Sequence, residues 1–130
     1  MTCQRDSAFF VFVLFAFMAA HSAYADSFSG VTYDGQKDEL VITMRYRGTN
    51  PDHIFTLRWG QCKKAAGSRV HEVVVEVLDG QWQDEERTDY TKTTRFGLTD
   101  LSCRPAVLTL QTAPRFSYTL FIPAADMRGP

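Results

Sequence analysis

Asparagine occurs once in the 130 residues, at Asn50, and Pro51 and Asp52 follow it, so the chain has no N-x-S/T glycosylation acceptor. For an exported chain, that absence favours a bacterial periplasm over a eukaryotic secretory route. Cysteine is scarce too, with three residues at positions 3, 62 and 103 and no C-x-x-C pair to lower a thiol pKa, which argues against thiol redox chemistry. No G-x-S-x-G elbow is present, and few histidines could serve a serine nucleophile as base. Charge of one sign is not in excess either. Lys plus Arg total 14 against 15 for Asp plus Glu, which leaves no electrostatic case for nucleic acid or an anionic membrane as partner. Internal repeats, low-complexity tracts and amphipathic helical patterns are likewise missing.

One strongly apolar run is present, Ala8 to Ala20, "AFFVFVLFAFMAA". It is shorter than the roughly 20 residues of a spanning helix. Arg5, offset by Asp6, precedes it, and Ala23-Tyr24-Ala25 supplies the small-residue pattern of a signal-peptidase site. The expectation is a signal peptide over residues 1–25, removed ahead of Asp26, and no stable membrane anchor afterwards. Removal takes 25 of 130 residues and leaves 105, one domain's worth at 26–130, and it also takes Cys3. Cys62 and Cys103 then form an even pair in an oxidising compartment, and a disulfide between them is expected.

The remaining chain reads as short strands. "ELVITMRYR", Glu39 to Arg47, alternates Leu40, Ile42, Met44 and Tyr46 against Val41, Thr43, Arg45 and Arg47. Asp34-Gly35 lies between this strand and an earlier β-rich run, the signature of a hairpin with a slightly long turn. "HIFTLRW" puts His53, Phe55, Leu57 and Trp59 on one face, and "VHEVVVEVLDG" puts His71, Val73, Val75 and Val77 on one face. "YTKTTRFGL" supplies a further strand with Tyr90, Thr94 and Phe96 aligned. "AVLTLQT" and "RFSYTLFI" flank Ala113-Pro114 as a hairpin, with Ala106, Leu108 and Leu110 facing Phe116, Tyr118, Leu120 and Ile122. The tail from about residue 123 is expected to fray.

Six to seven strands and one bridge predict an all-β fold, either a small antiparallel β-sandwich or a partly open barrel. The cysteine spacing and the setting of Trp59 are compatible with an immunoglobulin-like sandwich, without the buried-Trp-and-bridge pattern of true immunoglobulin domains.

Candidate functional residues are few. Trp82 stands in a polar, acidic loop with Asp84, Glu85 and Glu86 where no strand pattern requires it, and tryptophan in such positions often anchors an interface. Lys63 and Lys64 make a basic loop after Cys62. These two groups are the candidate partner-binding residues of a secreted, periplasmic, non-catalytic binding module, an accessory, inhibitor or immunity-type protein with a protein partner and no cofactor. The competing expectation is a copper-type metal-handling domain on His53, His71 and Met44. Calcium is a thinner possibility, since Asp79, Asp84, Glu85 and Glu86 offer oxygen ligands without D-x-D-x-D-G spacing.

Overall fold

The computed structural model describes residues 27–81, 84, 88–112 and 116–125. Eight strands run in chain order: β1 (Ser27–Asp34), β2 (Glu39–Gly48), β3 (Phe55–Trp59), β4 (Lys63–Lys64), β5 (His71–Asp79), β6 (Thr88–Gly97), β7 (Ala106–Gln111) and β8 (Ser117–Ile122). They form two sheets. The first has the order β1-β2-β6, and the second the order β3-β5-β7-β8, with β4 continuing the β3 edge along β5.

Period-two alternation drives the packing. On β2, Leu40, Ile42, Met44 and Tyr46 are buried while Arg45 and Arg47 face solvent. Val73, Val75 and Val77 do the same on β5, and Ala106, Leu108 and Leu110 on β7. These residues, with Val31, Phe55, Leu98, Leu101 and Ile122, fill the space between the sheets. The fold is therefore all-β, two sheets with separate pairing paths packed face to face as a small sandwich, with β1 and β8 approaching one another along one side.

The β1–β2 hairpin closes as its sequence suggests. Asp34 accepts the amide hydrogens of Gln36 and Lys37 on its Oδ1, an Asx arrangement that folds the turn locally. Asp38 completes the turn at φ 57°, a left-handed conformation that Asp tolerates better than most residues. In the β7–β8 hairpin, Ala106 stands opposite Ile122, Leu108 opposite Leu120 and Leu110 opposite Tyr118, the facing expected from the sequence.

Two features depart from expectation. Lys63-Lys64, read as loop, is a short strand on β5, with Lys63 opposite Glu72 so that opposite charges meet across the pair. The second departure is the pairing of β5 with β7, which is parallel, from His71 opposite Ala106 to Glu76 opposite Gln111. After β5 the chain crosses to the first sheet as β6 and returns, so β7 runs in the same direction as β5. All other pairs are antiparallel. That one parallel pair departs from the fully antiparallel sandwich expected from the sequence.

This path gives the sandwich two distinct rims. The first holds the β1–β2 turn, the β6–β7 connection and the approach to β5. The second holds the β2–β3, β5–β6 and β7–β8 connections.

Candidate functional site

The second rim is built around His53. Its side chain is fully buried, with Nδ1 2.7 Å from Asp79 Oδ2 and Nε2 3.3 Å from Asp84 Oδ2. Both partners accept hydrogen bonds when ionised, so only the imidazolium can donate to both. Burial alone would pull the His53 pKa down, but the hydrogen bonds and charges of Asp79 and Asp84 outweigh it and hold the pKa above its ordinary value.

The carboxylates are themselves fixed. Asp84 accepts the Thr49 amide on Oδ2 and the Thr49 hydroxyl on Oδ1, each at 2.6 Å, and Asp79 Oδ1 accepts the Gln81 amide at 2.9 Å. The Tyr46 ring lies 4.6 Å from the imidazole, centroid to centroid, and its hydroxyl donates to the Pro51 carbonyl. Lys92, on the inner face of β6, donates to the His53 carbonyl at 2.8 Å. The cluster thus joins the β2–β3 connection, the end of β5, the β5–β6 connection and β6.

At the first rim Arg104 plays the equivalent part. Its guanidinium grips both Asp38 oxygens, at 2.7 and 3.0 Å, and also donates to the Leu98 carbonyl. Hydrogen bonding to Asp38 raises its pKa further, leaving a permanent cation. Tyr33 adds a donor to Asp38 at 3.0 Å. The Cys62–Cys103 disulfide is formed at this rim, with a Cα separation of 6.3 Å.

Between the rims, no other described residue covers the solvent face of the second sheet, where Val74 and Phe121 are exposed. Here the Gly60 amide donates to the Val74 carbonyl, and the edge bulges before resuming at Lys63. A Cβ on Gly60 would stand 2.6 Å from that carbonyl oxygen, so glycine is what lets the edge close. Alongside the bulge is a concavity of ≈ 680 Å³ lined by Val74, Val107, Thr109 and Thr119, with Lys63 and Glu72 at its margin. Phe121, 52% exposed, lies opposite Val107 and extends the apolar part of this face, and Val74 is 45% exposed.

The residues singled out from sequence are distributed as follows. The disulfide pair is as expected. Lys63 and Lys64 are exposed on β4, with Lys63 lining the concavity. Asp84 is turned inward to His53 and Thr49 rather than outward, while Trp82, Glu85 and Glu86 lie outside the described residues.

The metal set is not assembled. His53 contacts Asp79 at the end of β5, whereas His71 begins that strand eight residues earlier, about 26 Å away at ~3.3 Å per residue. Met44 is buried mid-strand among apolar side chains, and both His53 nitrogens face carboxylates. Among the described residues no group of three or more His, Cys, Asp or Glu side chains is placed to hold a metal ion. The oxygen-ligand reading of Asp79 and Asp84 meets the same obstacle, because both are turned to the imidazole. Sequence reasoning named Asp79 only as a calcium ligand and Asp84 as a calcium ligand or partner contact, and missed Thr49 and Arg104. The available signal was a histidine in phase with a core face, which demands buried polar partners.

No protein-family model matches the chain, and neither a curated protein nor a solved structure matches it.

Proposed function

We propose that the protein is a secreted, periplasmic, non-catalytic binding module of the accessory, inhibitor or immunity type, and that it engages a protein partner through the solvent face of its second sheet. The observation that carries the reading is the concavity beside Gly60. Its apolar walls, Val74 and Val107, are ringed by hydroxyls and by Lys63 and Glu72, a combination that suits an apolar anchor with polar neighbours. The opposite face of the sandwich carries Thr43, Thr93, Arg45, Arg47 and Asp89, a surface rich in threonine and charge.

Two further points support the reading. His53, a general-base candidate by residue type, is buried with both nitrogens committed to carboxylates. The Cys62–Cys103 bridge accords with an oxidising compartment, as does the signal-like segment at residues 1–25.

The test has two arms. Intact mass of the protein recovered from the producing cell's periplasm should give a chain starting at Asp26 with no alkylatable thiol. Partners captured from the same compartment by the wild type should be lost with Val74→Lys, which puts a charge in the concavity, and retained with Thr43→Lys on the opposite face. Equal capture by all three proteins would remove the site, and a chain retained in the cytoplasm with free thiols would remove the compartment.

A further inference from the structure

Asp84 ties the β5–β6 connection to the β2–β3 connection. From the first it reaches His53 Nε2 at 3.3 Å, and it accepts the Thr49 amide and hydroxyl, both at 2.6 Å, from the second. His53 is shared with Asp79, whose Oδ2 lies 2.7 Å from Nδ1. Only the doubly protonated ring donates to both acids.

The two carboxylates are not held alike. Asp79 closes β5 opposite Phe55, its side chain is 6% exposed, and its second oxygen receives the Gln81 amide. Asp84 lies in a connection outside any strand, its side chain is 14% exposed, and its contact with the ring is the longer of the two. A neutral imidazole keeps one N–H. The shorter contact and the fixed strand position place that hydrogen on Nδ1, towards Asp79, which turns the Nε2 lone pair to the Asp84 carboxylate.

The charged and titratable groups around the ring come from four elements. They are Asp79 of β5, Asp84 of the β5–β6 connection, Tyr46 of β2, ring to ring at 4.6 Å, and Lys92 of β6, which donates to the His53 carbonyl. Tyr90, also of β6, packs against Tyr46 and donates to the Thr49 carbonyl. With the imidazole protonated, His53 and Lys92 balance Asp79 and Asp84. Without that proton a carboxylate is left in excess beside a ring only 1% exposed, a costly arrangement that the acid nearer solvent relieves by moving to water.

We propose that His53 is a proton-operated clasp: its imidazolium holds Asp84 and so ties the two connections together, and loss of the Nε2 proton frees Asp84 from the ring and from Thr49 while Asp79 stays bound. The sandwich stays folded through the step, because the strand ladders and the apolar core do not pass through Asp84. The two acids that grip the ring place the step on the alkaline side of an ordinary histidine. The device is independent of the binding reading above, since the concavity beside Gly60 shares no residue with this cluster.

An NMR pH titration of the mature, disulfide-bonded protein tests the clasp by following the His53 ring nitrogens and the backbone amides together, with His53→Gln to tell the ring signals from those of His71. Nε2 should lose its proton while Nδ1 keeps its own. At the same midpoint the Thr49 amide should shift and its exchange protection should fall by more than about tenfold, while the Gln81 amide, which reports on Asp79, and the amides of β2 keep theirs. Asp79→Asn should reverse the choice, leaving the neutral ring protonated at Nε2 towards the remaining carboxylate and Thr49 unresponsive. A wild-type Thr49 amide that stays unchanged through the His53 titration overturns the proposal, and so does a neutral wild-type ring protonated at Nε2. Simultaneous loss of protection at Thr49, Gln81 and β2 also overturns it, because that is unfolding of the sandwich and not release of a clasp. A Thr49 amide that still follows the ring in Asp79→Asn does the same, and the wild-type titration decides alone should that variant fail to fold.

Discussion

Gly48 and His53 are in contact across the β2–β3 connection, so closely that a Cβ on the glycine would stand 2.3 Å from the imidazole Nε2 and 2.9 Å from the Asp84 carboxylate. The strand must end in glycine for the histidine to be buried between its two acids. Gly48→Ala should therefore destabilise the fold by about 1–3 kcal/mol through overpacking, read as a lower urea midpoint at unchanged m-value. A variant as stable as wild type would show that the rim can open without cost.

The same cluster sets a pH dependence whose sign is fixed. Since the folded His53 pKa is raised, its stabilising contribution is complete below the unfolded value near 6.5 and is lost as pH rises through the folded pKa. The groups that face it are Asp79 and Asp84 at the ring nitrogens, Tyr46 on the ring and Lys92 at the carbonyl. Imidazole NMR titration should give a midpoint above 6.5, and the fall in unfolding midpoint on the alkaline side should vanish in His53→Gln. A titration at or below 6.5 would falsify the assignment.

Replacing both cysteines, Cys62→Ser with Cys103→Ser, should cost about 4 kcal/mol by the loop-closure argument for a sequence separation of 41. Denaturant unfolding of the oxidised wild type against the double variant measures it. A difference below about 1 kcal/mol would mean that the unfolded chain is already restricted without the bridge.

Arg104 makes three hydrogen bonds and is only 11% exposed, so its removal takes the cation from a partly buried Asp38 and a donor from the Leu98 carbonyl. Arg104→Met should lose about 3 kcal/mol, at the low end for a broken buried pair because Asp38 keeps some solvent. Arg104→Lys should recover only part of the loss, since an ammonium cannot make the paired contact with both Asp38 oxygens. Full recovery by lysine would reduce the interaction to simple charge.

Strand positions and inner faces were legible in the sequence because they depend on a local period of two. Val73, Val75 and Val77, or Leu108 and Leu110, announce their burial within a few residues. The parallel pairing of β5 and β7 was not legible, because it depends on where β6 goes, and no local pattern tells a strand which sheet to join. His53 was correctly read as facing the core, but its acids lie 26 and 31 residues away, too far for spacing to reveal. Nor could the sequence distinguish an acidic residue that faces solvent from one that turns inward, as Asp84 does. That outcome depends on the Thr49 amide and hydroxyl being in place to receive it.

The disulfide closes immediately ahead of both β4 and β7, the two strands that flank the start of β5. That position bears on how the chain finds its shape. β7 reaches its place only after the intervening segment has travelled through the other sheet, so partners such as His71 and Ala106 are 35 residues apart in the chain. A bond that already holds Cys62 beside Cys103 brings the head of β7 to the head of β5 before either has paired, and turns a distant search into a local zippering. Oxidised chains should on this account refold faster than reduced ones, with the gain carried by the assembly of β5 with β7.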